Sequence, residues 1–593
     1  MARERPTDLA PTPSSDNPVP RPLSRRSFLA GAAGAGAALA AGGFAGLGSS
    51  LVAPGPAQAR AQDRPWFEKS IPELQQLMRR GRISSRELTK AYLNRIAKLN
   101  PTLGAVIETN PQALAIARRR DDERRRGDMR GPLHGIPILV KDNIATDDAM
   151  QTTAGSLALV GTRVPDDAVL VRKLRRAGAV ILGKANLSEW ANFRGFPPPD
   201  FPFATNYLNG WSARGGFTHN PYLMGFDPCG SSSGSGVAPA VNMCAAAIGT
   251  ETDGSIVCPA GNSGIVGLKP TIGLISQQGI IPIAHSQDSA GPMTRTVMDT
   301  AILLNVMKSP FGPVAGHNIP RDYRRFVDPR GLRGARIGIE RRQFLPEYFA
   351  LPEINAVVED AIVEMERAGA VIIDPVDTGD TFEWFDAEFL VLMYEFKGDI
   401  RKYLRALRQP QRPKMRNLAD LIAFNIAHCE EEMEYFGQEI FEMSNELSGD
   451  LDDRAYRQAR RLCLRLTRRE GIDRVMRQHN LDAVLSPSYA FGSSAPAAAG
   501  YPVMSVPVGI TEPGYPAGVW LYAGFLQEPQ LLRVAAGIEA LFGREQPRFL
   551  GAIPPEPPDA GICDMDTAAA RDQRVAQARQ KLESGKLRRP LRI

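Results

Sequence analysis

Residues 229–260 read CGSSSGSGVAPAVNMCAAAIGTETDGSIVCPA, and no other stretch of the 593-residue chain is so constrained in composition. Two clusters of glycine and hydroxyl residues, at 231–236 and 249–255, flank a small-residue apolar run at 237–248. This run has the length and alanine content of a tightly packed helix, or of a helix followed by a strand. A flexible linker is the alternative, but apolar chain continues between and after the clusters. Because glycines beside serines let main-chain N–H groups approach a ligand, the stretch predicts a site for a developing oxyanion.

The composition is that of a globular protein with basic ends. Hydrophobic residues make up 43% of the chain and charged residues 23%, which is enough for a large core. Residues 1–62 hold six arginines against three acids, and residues 564–593 hold eight basic against four acidic residues. The net charge of +6 therefore belongs to the two ends, which argues against a nucleic-acid-binding body.

The six cysteines show no CxxC spacing, and no His/Cys pattern suits a metal site. Each cysteine is expected to be a small buried hydrophobic residue rather than a ligand, and their pairing stays open. No metal and no organic cofactor is predicted.

The N-terminus carries the features of an export signal. After a Pro- and Ser-rich start, Arg25 and Arg26 precede a weakly hydrophobic Ala/Gly run and an Ala-x-Ala site at 57–59. This order resembles a twin-arginine signal peptide. Because no run of about 18 strongly apolar residues follows, no spanning helix is predicted. We expect an exported protein, periplasmic or extracellular, without stable membrane insertion.

Four segments are expected along the chain. They are a disordered N-terminus with the signal at 1–59, a helical segment at 60–130, a catalytic domain at 131–550 and a Pro-rich, then basic, tail at 551–593.

Within the catalytic segment, short apolar strands alternate with helices, which predicts an α/β fold with helices covering a sheet. Residues 279–282 are predicted as strand and turn, and residues 353–480 as mainly amphipathic helices. The strand at 138–140 runs straight into Lys141. A lysine at the end of a buried strand has to be paired or lose its proton. The alternative is a side chain that reaches the surface or pairs with Asp142.

Ser255, in the second hydroxyl cluster, is the candidate nucleophile, and a serine hydroxyl needs a base to take its proton. None of the six histidines sits in a recognisable triad motif. Lys141 is the other candidate base, on the condition that burial lowers its pKa from about 10.4.

Several motifs together resemble the amidase signature family, whose members are serine hydrolases with a Ser, cis-Ser and Lys triad. In family order these are GIPILVKD at 135–142, GKANLSEW at 183–190, the glycine–serine block, GTETDGSIVCPA at 249–260 and SQDSAGPM at 286–293. The likeness extends from about residue 70 to 543. Residues 211–216 and the pair Val257-Cys258 are similar to the peptide amidase branch. The resemblance implies a mixed central β-sheet covered on both faces by helices.

The resemblance also implies the site. Lys141, Ser231 and Ser255 match the lysine, the cis-serine and the nucleophile. The oxyanion hole would come from the backbone N–H groups of Thr252, Asp253, Gly254 and Ser255. Supporting positions are Ser232, Arg214 and Asp288. The chain departs from the pattern of many family members in three places: it has Asp253 in place of a Gly, Val257 in place of an Arg, and an apparent insertion at 196–209.

The function implied is hydrolysis of unsubstituted carboxamides with release of ammonia, with C-terminal peptide amides as the expected class. The partner is then a small or short-peptide amide, and the oligomeric state is not predicted. Three alternatives stay open. The first is an esterase using Ser232 in the G-x-S-x-G pattern at 230–234, although a turn-like segment precedes it. The others are a tRNA-dependent amidotransferase subunit, which an export signal opposes, and an exported binding protein without catalysis.

Overall fold

A mixed β-sheet runs through the computed structural model, which describes residues 65–196, 209–557, 559–563 and 568–583. The described strands, numbered along the chain, are β1 (Val106–Thr109), β2 (Pro137–Lys141), β3 (Val180–Ala185), β4 (Ala246–Glu251), β5 (Val266–Lys269), β6 (Ser289–Thr294), β7 (Arg336–Glu340), β8 (Val371–Val376), β9 (Ala483–Pro487), β10 (Val503–Ile510) and β11 (Pro516–Tyr522). Their order across the sheet is β1-β3-β2-β4-β6-β5-β10-β11-β9-β7-β8.

The sheet is parallel in two places and antiparallel elsewhere. Strand β2 pairs in parallel with β3 and β4, and β7 pairs in parallel with β8 and β9. The remaining neighbours pair antiparallel. Every residue of β2, β3, β4, β5, β6, β9 and β11 is buried. Because successive side chains point to opposite faces, both faces of the sheet are covered, and the predicted fold is confirmed.

The described α-helices are α1 (Ile71–Arg79), α2 (Ser85–Leu103), α3 (Ala113–Arg126), α4 (Val169–Arg176), α5 (Ser233–Ala240), α6 (Val257–Asn262), α7 (Val297–Met307), α8 (Pro352–Arg367), α9 (Phe385–Ala406), α10 (Leu418–Ala427), α11 (Cys429–Glu432), α12 (Glu439–Glu446), α13 (Arg454–Leu464), α14 (Asp473–His479), α15 (Ser494–Ala499), α16 (Glu528–Phe542) and α17 (Ala568–Glu583). A π-helical stretch, Arg465–Ile472, joins α13 to α14. None of these described helices is long and apolar enough to cross a bilayer.

Local sequence signals explain several of these elements. Ser84 caps α2, accepting from Glu87 N at 3.1 Å, while the Glu87 carboxylate accepts from Ser84 N at 2.8 Å. This is the capping box that the sequence predicts. The apolar run at 237–248 ends α5 and leads into β4, so it is a helix followed by a strand.

Three sequence expectations differ from the structure. Residues 353–480, predicted to be mainly helical, also contain β8, a mostly exposed edge strand that lacks an apolar alternation. Residues 279–282, predicted as strand and turn, contribute only an isolated bridge between Ile280 and Ile144. The tail, to which the sequence assigns no structure, holds α17, which packs on α12.

The cysteines also differ from the expectation that each is a buried hydrophobic residue. Cys229 is bonded to Cys258, and Cys429 is bonded to Cys563 in the tail. Cys244 and Cys463 are free and buried. Pairing depends on tertiary proximity, which separations of 29 and 134 residues do not reveal.

The described residues belong to one compact unit. The predicted signal at 1–59 and most of the apparent insertion at 196–209 lie outside the described residues. The segment boundaries at 130 and 550 stay predictions.

Candidate active site

Lys141, Ser231 and the turn that holds Ser255 meet at one edge of the sheet. Lys141 is the last residue of β2, and β4, the parallel neighbour of β2, ends at Glu251. Because the carboxyl ends of parallel neighbours lie at the same edge, Lys141 comes beside the turn that follows β4. Ser231 lies just before α5, which packs on both strands.

The Lys141 amine has three polar neighbours. Its Nζ lies 2.7 Å from Ser231 Oγ, 3.0 Å from Thr250 Oγ1 and 3.2 Å from the Thr250 carbonyl oxygen. The side chain is fully buried, and no carboxylate of the described residues lies at ion-pair distance from it. Burial lowers the pKa of Lys141 well below its ordinary value, against the opposing charges of Glu251 and Asp288. The surroundings of Lys141 thus favour the neutral amine, and neither surface exposure nor a pair with Asp142 describes it.

Ser231 and Ser232 have different surroundings. The Gly230–Ser231 peptide is cis, as the resemblance implies. The Ser231 carbonyl accepts from Ser188 N at 3.0 Å. The Ser232 hydroxyl donates to the Thr250 carbonyl at 3.0 Å and accepts from Thr250 N at 3.2 Å. Since its hydroxyl is engaged with strand β4, Ser232 is poorly suited to be the nucleophile of the esterase alternative.

Glu251 shapes the turn that carries Ser255. Its carboxylate accepts from Ile256 N at 2.7 Å and Val257 N at 3.0 Å, which fixes the start of α6. Gly254 has φ +76°, a left-handed conformation that favours glycine. The Ser255 carbonyl accepts from Ser232 N at 3.2 Å, so the two hydroxyl clusters are joined through the backbone.

Ser255 is buried, with 2% of the residue exposed. Its hydroxyl forms no hydrogen bond with the described part of the chain. The structure therefore brings Lys141 and Ser231 into direct contact, and it brings Ser255 beside them without closing a hydroxyl-to-hydroxyl link.

Four consecutive amides follow β4 without acceptors. Within the described ranges, no oxygen accepts a hydrogen bond from the N–H groups of Thr252, Asp253, Gly254 or Ser255. Buried amides normally find a partner. The turn therefore offers a set of donors to a ligand oxygen, and these are the residues that the resemblance implies for the oxyanion hole.

Asp288 holds Thr252 from the outside of the turn. Its carboxylate accepts from Thr252 Oγ1 at 2.7 Å and from the amides of Ile283 and Ala284 at 2.9 and 3.0 Å. Burial raises the pKa of Asp288 to about 7, although these hydrogen bonds oppose the shift.

Arg214 contacts Asp142, the residue that follows Lys141. It forms ion pairs with Asp142, at 3.3 Å, and with Glu108. Asp142 also accepts from the amides of Thr153 and Gly155, at 3.1 and 3.2 Å. Arg214 and Asp142 thus tie the end of β2 to the surrounding loops.

The histidines lie elsewhere. None of them hydrogen-bonds Ser231 or Ser255 in the described residues. Among those residues, one group of close metal-ligating side chains contains His285, Glu395 and Asp399. His285 Nδ1 lies 2.6 Å from Asp399 and 3.2 Å from Glu395, so an ion-pair cluster accounts for the arrangement.

A cleft opens beside the Asp253–Gly254 turn. Its wall includes the Cys229–Cys258 disulfide, one face of α9 and the segment before α15. The cleft reaches Gly254, the residue before Ser255, so it lies next to the candidate nucleophile.

Sequence reasoning missed several residues of this site. Thr250 and Glu251 stand within the quoted stretch, and an acid among the glycine and hydroxyl residues at 249–255 is a signal that points to Glu251. Glu388 on α9 and the pair Ser493 and Ser494, which bind Asp253, come from distant segments. No local pattern marks these three residues.

Comparisons with known proteins identify the relatives of this chain. A family model described as Amidase matches residues 87–494. The solved structure of native peptide amidase from Stenotrophomonas maltophilia is 47% identical, with a TM-score of 0.75, covering 82% of this chain and 99% of that chain. A probable amidase of Arabidopsis thaliana is 38% identical over 82% of this chain and 92% of its own length. A glutamyl-tRNA(Gln) amidotransferase subunit of Myxococcus xanthus is 34% identical over 79% of this chain and 96% of its own length.

The matched family model covers more than half of the chain, and both curated relatives are covered almost end to end. The fold and the order of the motifs agree with the same assignment. The chain belongs to the amidase signature family of amide hydrolases.

Proposed function

We propose that the protein hydrolyses unsubstituted carboxamides, C-terminal peptide amides above all, through an acyl-enzyme on Ser255. The observation that carries this proposal is the 2.7 Å contact between Lys141 Nζ and Ser231 Oγ, buried beside the Ser255 turn. The likeness to peptide amidase structures supports the substrate class.

Proton transfer begins at Lys141. In its neutral form the amine has two N–H groups and one lone pair. The two Thr250 oxygens suit the N–H groups, which leaves the lone pair for the hydroxyl proton of Ser231. Ser231 can then accept the proton of Ser255 as the latter attacks the amide carbon. This relay needs a rotation of the Ser255 hydroxyl towards Ser231.

The turn stabilises the charge that develops during this attack. The unpartnered amides of Thr252, Asp253, Gly254 and Ser255 are the donors available to the carbonyl oxygen as it becomes negative. Losing one such donor typically costs about 2.7 to 4 kcal/mol of activation free energy. Ser231 then returns its proton to the leaving amine, ammonia departs, and water hydrolyses the acyl-enzyme with the same relay in reverse.

The glutamine-hydrolysing subunit is a second candidate, because amidotransferase subunits are among the relatives. We favour the peptide amidase class on the 47% identity to a peptide amidase over 82% of the chain.

We also propose that the protein is exported by the twin-arginine pathway. The paired arginines Arg25 and Arg26 support this proposal, as do the two disulfides, since disulfides persist mainly in oxidising compartments. Replacing both arginines with lysine should retain the protein in the cytoplasm, as cell fractionation would reveal. Unchanged export would contradict the proposal.

The test of activity is ammonia release from peptide amides, simple aliphatic amides and free glutamine. Ser255→Ala is the active-site variant. Ser235→Ala is its matched control, because the Ser235 hydroxyl donates to the Ile248 carbonyl and has no other hydrogen-bond partner among the described residues. Release from peptide amides that is lost in Ser255→Ala alone supports the proposal. Release from glutamine alone favours the second candidate, and release unchanged in Ser255→Ala rules out the assigned nucleophile.

A further inference from the structure

The cleft beside the Ser255 turn has an aromatic wall. Six aromatic side chains line it, namely Phe349, Phe385, Phe389, Tyr489, Phe491 and Trp520. A wall of this kind suits an apolar or aromatic group of a substrate.

Two carboxyl groups interrupt the aromatic wall, that of Glu388, which is buried, and that of Asp253, which is partly buried. Asp253 accepts from the hydroxyls of Ser493 and Ser494, each at 2.7 Å, and Glu388 accepts from Gln287 Nε2 at 2.6 Å. Glu388 is 3% exposed, and its second carboxylate oxygen accepts no hydrogen bond from the described residues. In that part of the chain, neither carboxyl has a cationic side chain at ion-pair distance.

A pocket for neutral groups would not need these acids. Burial raises the pKa of both Asp253 and Glu388, and the charge of Asp253 raises the pKa of Glu388 further. Ionisation of either carboxyl is therefore unfavourable in these surroundings. A cation in the cleft would favour the ionised carboxylates, because it pairs with them while the aromatic rings contact the cation through their faces.

We propose that this cleft binds an alkylammonium or guanidinium group on the acyl side of the substrate, with Glu388 and Asp253 as counterions. The inference rests on the proposed amide hydrolysis and names its preferred substrate class. The leaving ammonia is small, so the cleft that opens at the Asp253–Gly254 turn is the space available to the acyl part. Amides of lysine and arginine carry a cation several bonds from the scissile carbonyl, and Glu388 lines the same cleft as the Asp253–Gly254 turn.

The test compares charged and neutral substrates of equal shape. The Nα-acetylated amide of arginine is paired with that of citrulline, and the Nα-acetylated amide of lysine with that of norleucine. We expect kcat/KM to favour the charged member by about tenfold or more, the usual effect of a buried charge-assisted hydrogen bond. Equal values for both pairs would overturn the inference while leaving amide hydrolysis intact. Release of ammonia from none of the amides would instead contradict the proposed function.

Glu388→Gln identifies the residue responsible. In this variant the counterion is lost, so we expect the ratio of kcat/KM between each charged amide and its neutral partner to fall by about tenfold or more. A preference that survives in Glu388→Gln would overturn the role of Glu388. Loss of activity on every substrate would not discriminate, so wild-type inhibition supplies the second measurement.

For that measurement, n-butylguanidinium and its neutral isostere n-butylurea are compared as competitive inhibitors of the wild-type enzyme. Stronger inhibition by the cation, by about tenfold, supports the inference, and equal inhibition overturns it. Leucine amide against N-acetylleucine amide distinguishes an α-ammonium from a side-chain cation as the group bound. A preference for leucine amide without one for the lysine or arginine amides would mean that the enzyme binds the α-ammonium instead, and it would overturn the inference of a site for a side-chain cation.

Discussion

The disulfide between Cys229 and Cys258 joins the loop that carries Ser231 to the helix that follows Ser255. The bond is buried and forms part of the cleft wall. It therefore holds the two serine segments together at the point where a small displacement would separate their hydroxyls. The other disulfide, Cys429–Cys563, fastens the tail to the helical region and contacts none of the candidate catalytic residues.

Removing the two disulfides should separate stability from activity. In the chain-entropy account, bonds that close loops of 29 and 134 residues each contribute roughly 2 to 4 kcal/mol or somewhat more to the free energy of unfolding, the longer loop more. We expect the pair Cys429→Ser and Cys563→Ser to lose stability and keep kcat. The pair Cys229→Ser and Cys258→Ser should lose both. Urea unfolding and ammonia release measure the two effects, and equal kcat losses would contradict this account.

The activity should rise with pH through the lowered pKa of Lys141. Only the neutral amine can accept the Ser231 proton, and the neutral fraction grows as the pH passes upward through that pKa. A profile of kcat/KM should therefore increase from acid pH and then level off. Lys141→Met should lower kcat by about 10²- to 10⁴-fold and remove this limb. An acidic limb that persists in the residual activity of the variant would assign the titration to another group.

Ser231 and Lys141 should behave as a unit. Because both residues belong to one proton relay, removing either interrupts the transfer, and removing both adds little. We expect Ser231→Ala, Lys141→Ala and the double variant to have similar kcat values. The matched control is Ser235→Ala. Ser235 is a buried serine in the same cluster, and among the described residues its hydroxyl bonds the Ile248 carbonyl alone. Losses that multiply in the double variant would show that the two residues act independently.

The sequence predicts those parts of the site that lie in continuous segments. The strand ending at Lys141 is visible as an apolar run, and the run after Ser235 is visible as a helix and strand. In contrast, β6 contains Gly291 and Pro292 and has no strand pattern. It forms because β4 and β5 offer hydrogen-bonding edges on both sides.

Contacts between distant segments could not be predicted in the same way. In the sequence, the side chain of Asp253 is only a departure from the family pattern. Its contacts with Ser493 and Ser494 depend on the packing of α15, which the sequence does not show. The disulfide partner of Cys229 is equally invisible, since pairing depends on distance in the folded chain. The resemblance supplied the identities of Lys141, Ser231 and Ser255, whereas the lowered pKa of Lys141 depends on burial that only the fold creates.

Asp299 should make the stability of the fold depend on pH. Its side chain is fully buried on α7, where it accepts from Ile71 N at 2.8 Å, and burial raises its pKa to about 7 from an ordinary value of 3.8. Between these two pH values the folded protein binds a proton that the unfolded chain has lost. The contribution of Asp299 to the free energy of unfolding therefore falls as the pH rises through this window, by at most about 1.4 kcal/mol per pH unit.

Asp299→Asn cannot ionise and lacks this contribution, so its stability relative to the wild type should improve from pH 5 to pH 8. Urea unfolding of both proteins at the two pH values measures the change, and the other titrating groups cancel in the comparison. Asp166→Asn, which alters an exposed carboxylate, is the control and should show no comparable change. A wild-type advantage that stays constant or grows with pH would mean that Asp299 is ionised in the folded protein, held by the nearby Arg295 more strongly than burial opposes it.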